Sequence, residues 1–242
     1  MKKYILLIAV SLTALAMTAC KDDGHSLNTS YTAMAIVDNP GDKPSGFVFN
    51  TDGGRAMWVA GTSLPYGPQD GSRILANYSL LYDRPESDPY DHYVKLNDYY
   101  KVLTKDAILL DGENEENIAN DPIYVRKIWV SGGFINIDFV LEGNNKIHYL
   151  NLVSNTLADY GDDKIHLEFR HNKNEDAELL DLRGIASFNP DTVLAEGTEL
   201  PLNIVIHWKT PSQERSYEIT YDKKVDEEPS SDNISSGKAE VR

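Results

Sequence analysis

Cys20 is the only cysteine in 242 residues, and it stands where a thiol has an obvious use. Lys2 and Lys3 precede an apolar run from Tyr4 to Met17, and the small residues Thr18 and Ala19 lead into the cysteine. That order of charge, apolar stretch and small residues is an export signal. Met17-Thr18-Ala19-Cys20 looks like a bacterial lipobox, in which the thiol takes a diacylglycerol and the chain is cut before it. Cys20 is therefore the expected lipid attachment point. The apolar run is too short to span a bilayer comfortably. Acyl chains contribute about 0.8 kcal/mol per buried methylene, so two or three of them would hold the mature chain on a membrane that it does not cross. With one cysteine in the sequence, no internal disulfide is expected.

Lys21, Asp22 and Asp23 follow the anchor directly, and resemble the short lysine-plus-acid signal that sends Bacteroidota lipoproteins to the outer face of the outer membrane. They are the candidate surface-export signal, although a solvated tether would use the same residue types. Other chemistry is hard to find. The nucleophile elbow, the zinc-protease histidine pair, the phosphate loop and the dinucleotide glycine fingerprint are all missing from the sequence. Aspartates and glutamates are too numerous for a glycosidase-like pair to be picked out. The sequence thus assigns no catalytic residue, no cofactor and no metal ligand.

His148, His166 and His207 each fall within a strand-like stretch, so neighbouring strands could bring two together, as a metal site would require. His166 shares a polar face with Glu168 and Arg170, and an exposed ion-pair network there is the simpler expectation; His25 falls in the tether. The acidic run Asp111 to Asn117 is rich in oxygen ligands, but a calcium loop starting at Asp111 would need glycine where Glu116 stands and glutamate where Pro122 stands. A solvated linker is expected instead, and Asp162-Asp163 is expected to be a polar turn. Asp191-Thr192-Val193 resembles the short O-glycosylation signal of exported Bacteroidota proteins. Tyr90, Tyr93, Tyr99 and Tyr100 crowd one segment and could form an aromatic platform for a sugar or peptide, while half-buried strand positions also favour tyrosine.

Charge narrows the partners. Loss of Lys2 and Lys3 with the signal takes the formal net charge from −15 to −17. Lysines and arginines form no stripe, and Lys223-Lys224 stands beside Asp222, Asp226, Glu227 and Glu228. Nucleic-acid binding is disfavoured, and self-repulsion that keeps the protein soluble is the plainer account of the charge.

These residues must be carried by strands. Gly46 to Asn50 and Arg55 to Ala60 are short apolar runs around Thr51-Asp52-Gly53-Gly54, which predicts a hairpin. Arg73 to Leu81 and His92 to Lys95 are further candidates, completing a small all-β unit. The acidic run at 111 to 117 then marks a domain boundary, and Asp121-Pro122 opens a second strand-rich stretch. Beyond it apolar residues alternate: Ile135, Ile137, Phe139 and Leu141; Ile165, Leu167 and Phe169; Leu202, Ile204, Ile206 and Trp208; Tyr217, Ile219 and Tyr221. Strands apolar on one side must bury that side against each other, so two packed sheets are expected. From Lys223 the chain turns polar and is expected to be disordered. No helix of useful length and no internal repeat are expected.

Several stretches in order resemble the NigD-like lipoproteins of Bacteroidota: Ala76-Asn77-Tyr78-Ser79, Tyr93-Val94-Lys95-Leu96-Asn97-Asp98, Asn120-Asp121-Pro122-Ile123 and Ile128-Trp129-Val130. Phe134-Ile135-Asn136-Ile137, His148-Tyr149-Leu150-Asn151-Leu152-Val153 and Leu167-Glu168-Phe169-Arg170-His171-Asn172 continue it, so it spans nearly everything between tether and tail. The resemblance implies an all-β chain with an N-terminal OB-like barrel followed by a C-terminal β-sandwich, and a suggested role in bacteriocin immunity. It supplies no catalytic or ligand residues. The resulting expectation is a lipoprotein signal peptide (1–19), a tether (20–32), an OB-like barrel (33–110), a β-sandwich (111–222) and a disordered tail (223–242). The protein is expected to be a non-enzymatic binding module, lipid-anchored in the outer membrane through Cys20 and facing the exterior, with a protein, peptide or glycan partner. A surface glycan hydrolase and a structural subunit of a surface complex are the alternatives.

Overall fold

Alternation along the first strands closes a barrel. The structure, a computed structural model, describes residues 28–83, 87–112, 114–115 and 118–223. The signal segment, Cys20, Lys21, Asp22, Asp23, His25 and the tail beyond Lys223 lie outside the described residues. Strands β1 (Tyr31–Asp38), β2 (Val48–Thr51), β3 (Ala56–Thr62), β4 (Arg73–Asp83) and β5 (His92–Lys101) form a closed barrel in the order β1-β2-β3-β5-β4. The hairpin expected around Thr51 to Gly54 is β2–β3, with Val48 opposite Trp58. Within the barrel only β3 and β5 pair in parallel. Ala35, Val37, Phe49, Met57, Val59, Ile74, Ala76, Tyr78, Val94 and Leu96 fill the inside.

Residues of opposite parity should face water, and some do not. Met34 on β1 is buried together with Val102 and Ile185, and Leu75, Tyr100 and Trp129 pack against them. This second apolar patch is where the barrel meets the next domain.

That domain is a sandwich. One sheet has the order β14-β13-β11-β10-β7 and the other β6-β12-β9-β8. The strands are β6 (Leu103–Asp106), β7 (Ile108–Leu110), β8 (Tyr124–Ser131), β9 (Phe134–Gly143), β10 (Tyr149–Asn155), β11 (Ile165–Asn172), β12 (Leu180–Asn189), β13 (Leu202–Lys209) and β14 (Glu214–Tyr221). The alternating sets read from the sequence form the core: Ile135, Ile137, Phe139, Leu141, Leu167, Phe169, Ile204, Ile206, Ile219 and Tyr221 are all buried, Ile165, Leu202 and Trp208 pack against them, and only Tyr217, near the start of β14, is exposed instead. Phe169 lies 5.9 Å, centroid to centroid, from both Phe139 and Phe188, in tilted and edge-on arrangements that aromatic quadrupoles favour. A 3-10 turn, Asp191–Val193, follows β12.

The domain boundary differs from the expectation. β6 pairs in parallel with β12 and β7 with β10, so residues 103–110 belong to the two sheets of the sandwich and the barrel ends at Lys101. The acidic run is a connection between β7 and β8. The true junction is Val102, itself buried in the contact between domains, and one apolar residue leaves no linker signature in composition.

Polar groups register the two domains. Arg73 on β4 is almost fully enclosed, and its guanidinium grips Asp52 of the β2–β3 turn through both terminal nitrogens. Its Nε donates to Ser187 Oγ on β12 at 3.0 Å, Nη2 donates to Asn136 Oδ1 on β9 at 3.2 Å, and the group lies 4.4 Å over the Phe134 ring. Ser131 Oγ donates to Asp52 from the sandwich side. Gly132, at φ +59, lets the backbone pass: a Cβ there would fall 2.5 Å from Asp52 Oδ1.

Candidate binding surface on the barrel

Three adjacent strands present aromatic rings outside the barrel. Trp58 of β3 is in register with Tyr93 of β5, and Tyr93 with Tyr82 of β4. The Tyr82 and Tyr93 rings stack at 4.6 Å, Tyr90 meets Tyr93 edge-on at 6.3 Å, and Tyr90 covers Trp58 at 4.8 Å. The result is a continuous row, Trp58-Tyr90-Tyr93-Tyr82.

A bulge makes this row possible. Leu80 faces Val94 and the next paired residue is Tyr82 opposite Tyr93, so Leu81 is the extra residue. Without it Tyr82 would share parity with Ile74, Ala76, Tyr78 and Leu80 and point inward; with it the ring is 48% exposed.

Polar groups edge the row. The Tyr93 hydroxyl donates to Asp88, and this hydrogen bond, followed by burial and the Asp88 charge, pushes the phenol up to about 12. Arg55 Nη1 lies 3.3 Å from His92 Nε2. Asp91 exchanges hydrogen bonds with Ala56, its carboxylate accepting at 2.8 Å, which pins the start of β5 to β3. Apolar ring faces beside a hydrogen-bonding edge can hold a partner's side chain or sugar face and fix its orientation.

Of the four tyrosines named from the sequence, Tyr90 and Tyr93 join this surface. Tyr99 instead donates its hydroxyl to the Gly67 carbonyl at 3.2 Å, and burial raises its phenol. Tyr100 packs between the domains. Trp58 and Tyr82 were missed: Trp58 reads as one residue of a hairpin, and Tyr82 is visible only once the bulge is known.

The histidines form two pairs on the sandwich. His166 and His207 meet with 2.8 Å between Nδ1 and Nε2, and His166 Nε2 lies 2.7 Å from Asp162. Tyr160 stacks on His166 at 4.1 Å and donates its hydroxyl to Glu168, which is paired with Arg170; this pair is largely enclosed rather than exposed, because Tyr160 covers it, and His166 bonds to His207 and Asp162 instead of joining it. Burial and then the Glu168 hydrogen bond raise the Tyr160 phenol, whereas Glu168, which burial alone would raise, is lowered by Tyr160, Asn155 and Arg170. His148 pairs with His171, a partner the sequence did not single out. Among the described residues, no group of three or more His, Cys, Asp or Glu is arranged to hold a metal ion. Asp111 and Asn114 cap each other's backbone N–H, and Asp162 accepts from Lys164 N in the expected polar turn. Thr192 donates to the Ala107 carbonyl at 2.6 Å from the 3-10 turn.

Comparison with known proteins places this geometry. Family models match residues 37–102, as a NigD-like N-terminal OB domain, and residues 106–221, as a NigD-like C-terminal beta sandwich domain. A protein of unknown function from Bacteroides vulgatus is 27% identical with a TM-score of 0.70, over 85% of this chain and 97% of that one. A protein named as toxin-related from Parabacteroides distasonis is 26% identical with a TM-score of 0.65, over 81% of this chain and 94% of that one. A NigD-like immunity protein from Bacteroides caccae shares the fold at 16% identity and a TM-score of 0.59, over 80% of this chain and 99% of that one. No curated protein matches by sequence.

Proposed function

The chain belongs to the NigD-like family, and from that premise we propose that it is an outer-membrane lipoprotein that works by binding a protein or peptide outside the cell. Cys20 carries the lipid and Lys21, Asp22 and Asp23 direct export to the outer face. The observation that carries the binding role is the aromatic row Trp58-Tyr90-Tyr93-Tyr82, because exposed tyrosine and tryptophan side chains with adjacent hydrogen-bonding groups are the commonest anchors of protein recognition. Interception of a bacteriocin is one form of this role. The Bacteroides caccae relative bears the name of an immunity protein, which supports that form.

Two experiments separate the parts of the proposal. Protease shaving of intact cells should digest the protein, and Cys20→Ser should release it folded; protection until lysis would overturn the outward orientation. Cells producing Tyr82→Ala should lose protection against bacteriocin-containing supernatants while displaying normal amounts of protein. Equal protection by the variant would remove the aromatic row from the role, and binding to immobilised glycans that depends on Tyr82 would replace the protein partner with a glycan.

A further inference from the structure

The second histidine pair lies in a line of hydrogen bonds with an acceptor at each end. Asp176 Oδ2, in the β11–β12 connection, is 3.1 Å from His148 Nε2. His148 Nδ1 is 2.7 Å from His171 Nε2, and His171 Nδ1 is 3.0 Å from the Pro122 carbonyl oxygen. All three side chains are buried. The ring planes differ by only 14° and the centroids are 5.0 Å apart, so with 2.7 Å between facing nitrogens the rings meet edge to edge, aligned for N–H···N.

Counting protons decides the charge. The Pro122 carbonyl can only accept. Burial pushes the Asp176 carboxyl up, but N–H groups of Asn144, Asn145 and Lys146 together with His148 outweigh it and hold the acid well below the usual carboxylate range. Asp176 is therefore an acceptor too. Three contacts then need three protons, whereas two neutral imidazoles carry two N–H groups between them. Any neutral arrangement sets two lone pairs against each other across one of the three contacts, inside a region where that repulsion is poorly screened.

We propose that the His148–His171 pair is a proton-binding site that holds three ring N–H protons, and so one net positive charge, against the Asp176 carboxylate. Burial lowers His171 more than the Pro122 carbonyl raises it. His171 thus keeps its proton on Nδ1 and accepts at Nε2, and His148 donates from both nitrogens, one toward Asp176. The surroundings are mixed but mainly acidic. Asp121, beside Pro122, favours the proton and Lys173, just past β11, opposes it. Glu142 of β9, Tyr124 of β8 and Glu178 of the β11–β12 connection line the pocket before His171, where the β13–β14 connection contributes only Pro211. Lys173 is paired with Glu178, and the Lys146 ammonium is bound by the Asn174 and Glu175 carbonyls.

The bound proton ties together the approach to β8, the β9–β10 connection and the β11–β12 connection. Because the third proton is held only by the assembled line of Asp176, His148, His171 and Pro122, the stability it confers is lost as pH rises and the pair gives it up. His166 and His207 supply an internal reference. Their line has the Asp162 carboxylate at one end, and no acceptor for His207 Nδ1 appears among the described residues. Two protons suffice there, in keeping with the lowering of His207 by burial and by His166.

Ring-nitrogen NMR of the mature chain carrying Cys20→Ser, at about pH 7, tests the assignment. The expected spectrum has both His148 nitrogens and His171 Nδ1 protonated, with His171 Nε2 bare. Two N–H groups on this pair would overturn the proposal. A second measurement compares urea midpoints of wild type and His148→Gln between about pH 6 and about pH 9. The wild type should lose stability relative to the variant as pH rises, and parallel curves would also overturn the proposal. If the variant does not fold, the wild-type spectrum decides alone.

Discussion

Asp88 and Tyr93 show how one contact tunes the aromatic row. The carboxylate accepts from the phenol and opposes a second negative charge beside it, which holds the phenol at about 12. Asp88→Asn should therefore bring Tyr93 titration back toward about 10, as read by ring-carbon NMR at alkaline pH. Tyr82 makes a different prediction. Its ring is half exposed and stacked on one side only by Tyr93, so Tyr82→Ala should change stability by no more than about 0.5 kcal/mol in urea unfolding while abolishing partner capture. At this scale the sequence was only partly legible. The lipobox reading of Cys20 rests on neighbouring residues alone, and Tyr90 and Tyr93 could be named together because they are close in the chain. Trp58 and Tyr82 reach them through strand register, and His148 reaches His171 through the pairing of β10 with β11, which no local pattern encodes.

Between β9 and β12 the fit is close. Phe139 fills the space over Gly184 on the neighbouring strand, and a Cβ at Gly184 would meet Phe139 Cζ at 2.7 Å. Gly184→Ala should cost about 1–3 kcal/mol through overpacking. Phe139→Ala should cost about 3–5 kcal/mol through the cavity it leaves. The two substitutions share that volume, so urea midpoints of the double variant should fall short of the sum; strict additivity would show that the contact is not what limits either site. The strands themselves were the most legible part of the fold, since Ile135, Ile137, Phe139 and Leu141 announce a buried face by period two alone. Asn136 breaks the rule that the other face meets water, because the barrel covers it and Arg73 supplies its hydrogen bond.

For the whole molecule, the decisive group is the buried Arg73–Asp52 pair. Removing one partner of an enclosed ion pair strands the other, at a cost of about 3–5 kcal/mol. Asp52→Ala should therefore lower the calorimetric midpoint and separate barrel from sandwich unfolding into two transitions, where a single transition is expected for the wild type. Arg73 stands in the sequence as an ordinary strand-end cation, and nothing near it signals partners as distant as Asn136 and Ser187. The boundary at Val102 was hidden for a related reason: the domains are joined by one buried residue, while the conspicuous acidic run comes later in the chain, between β7 and β8.

The placement of residues 103–110 also sets an order in time. Every barrel strand finds its neighbours within residues 31–101, but Leu103 lies opposite Ala186 and Ile108 opposite Val153. A chain emerging from its N-terminus can close the barrel as soon as β5 is available. β6 must then wait, unpaired, until β12 arrives, and long-range parallel pairings of this kind close slowly. The topology therefore predicts the barrel as the first folded body, with the sandwich assembling against a template that already presents Met34, Arg73 and Leu75.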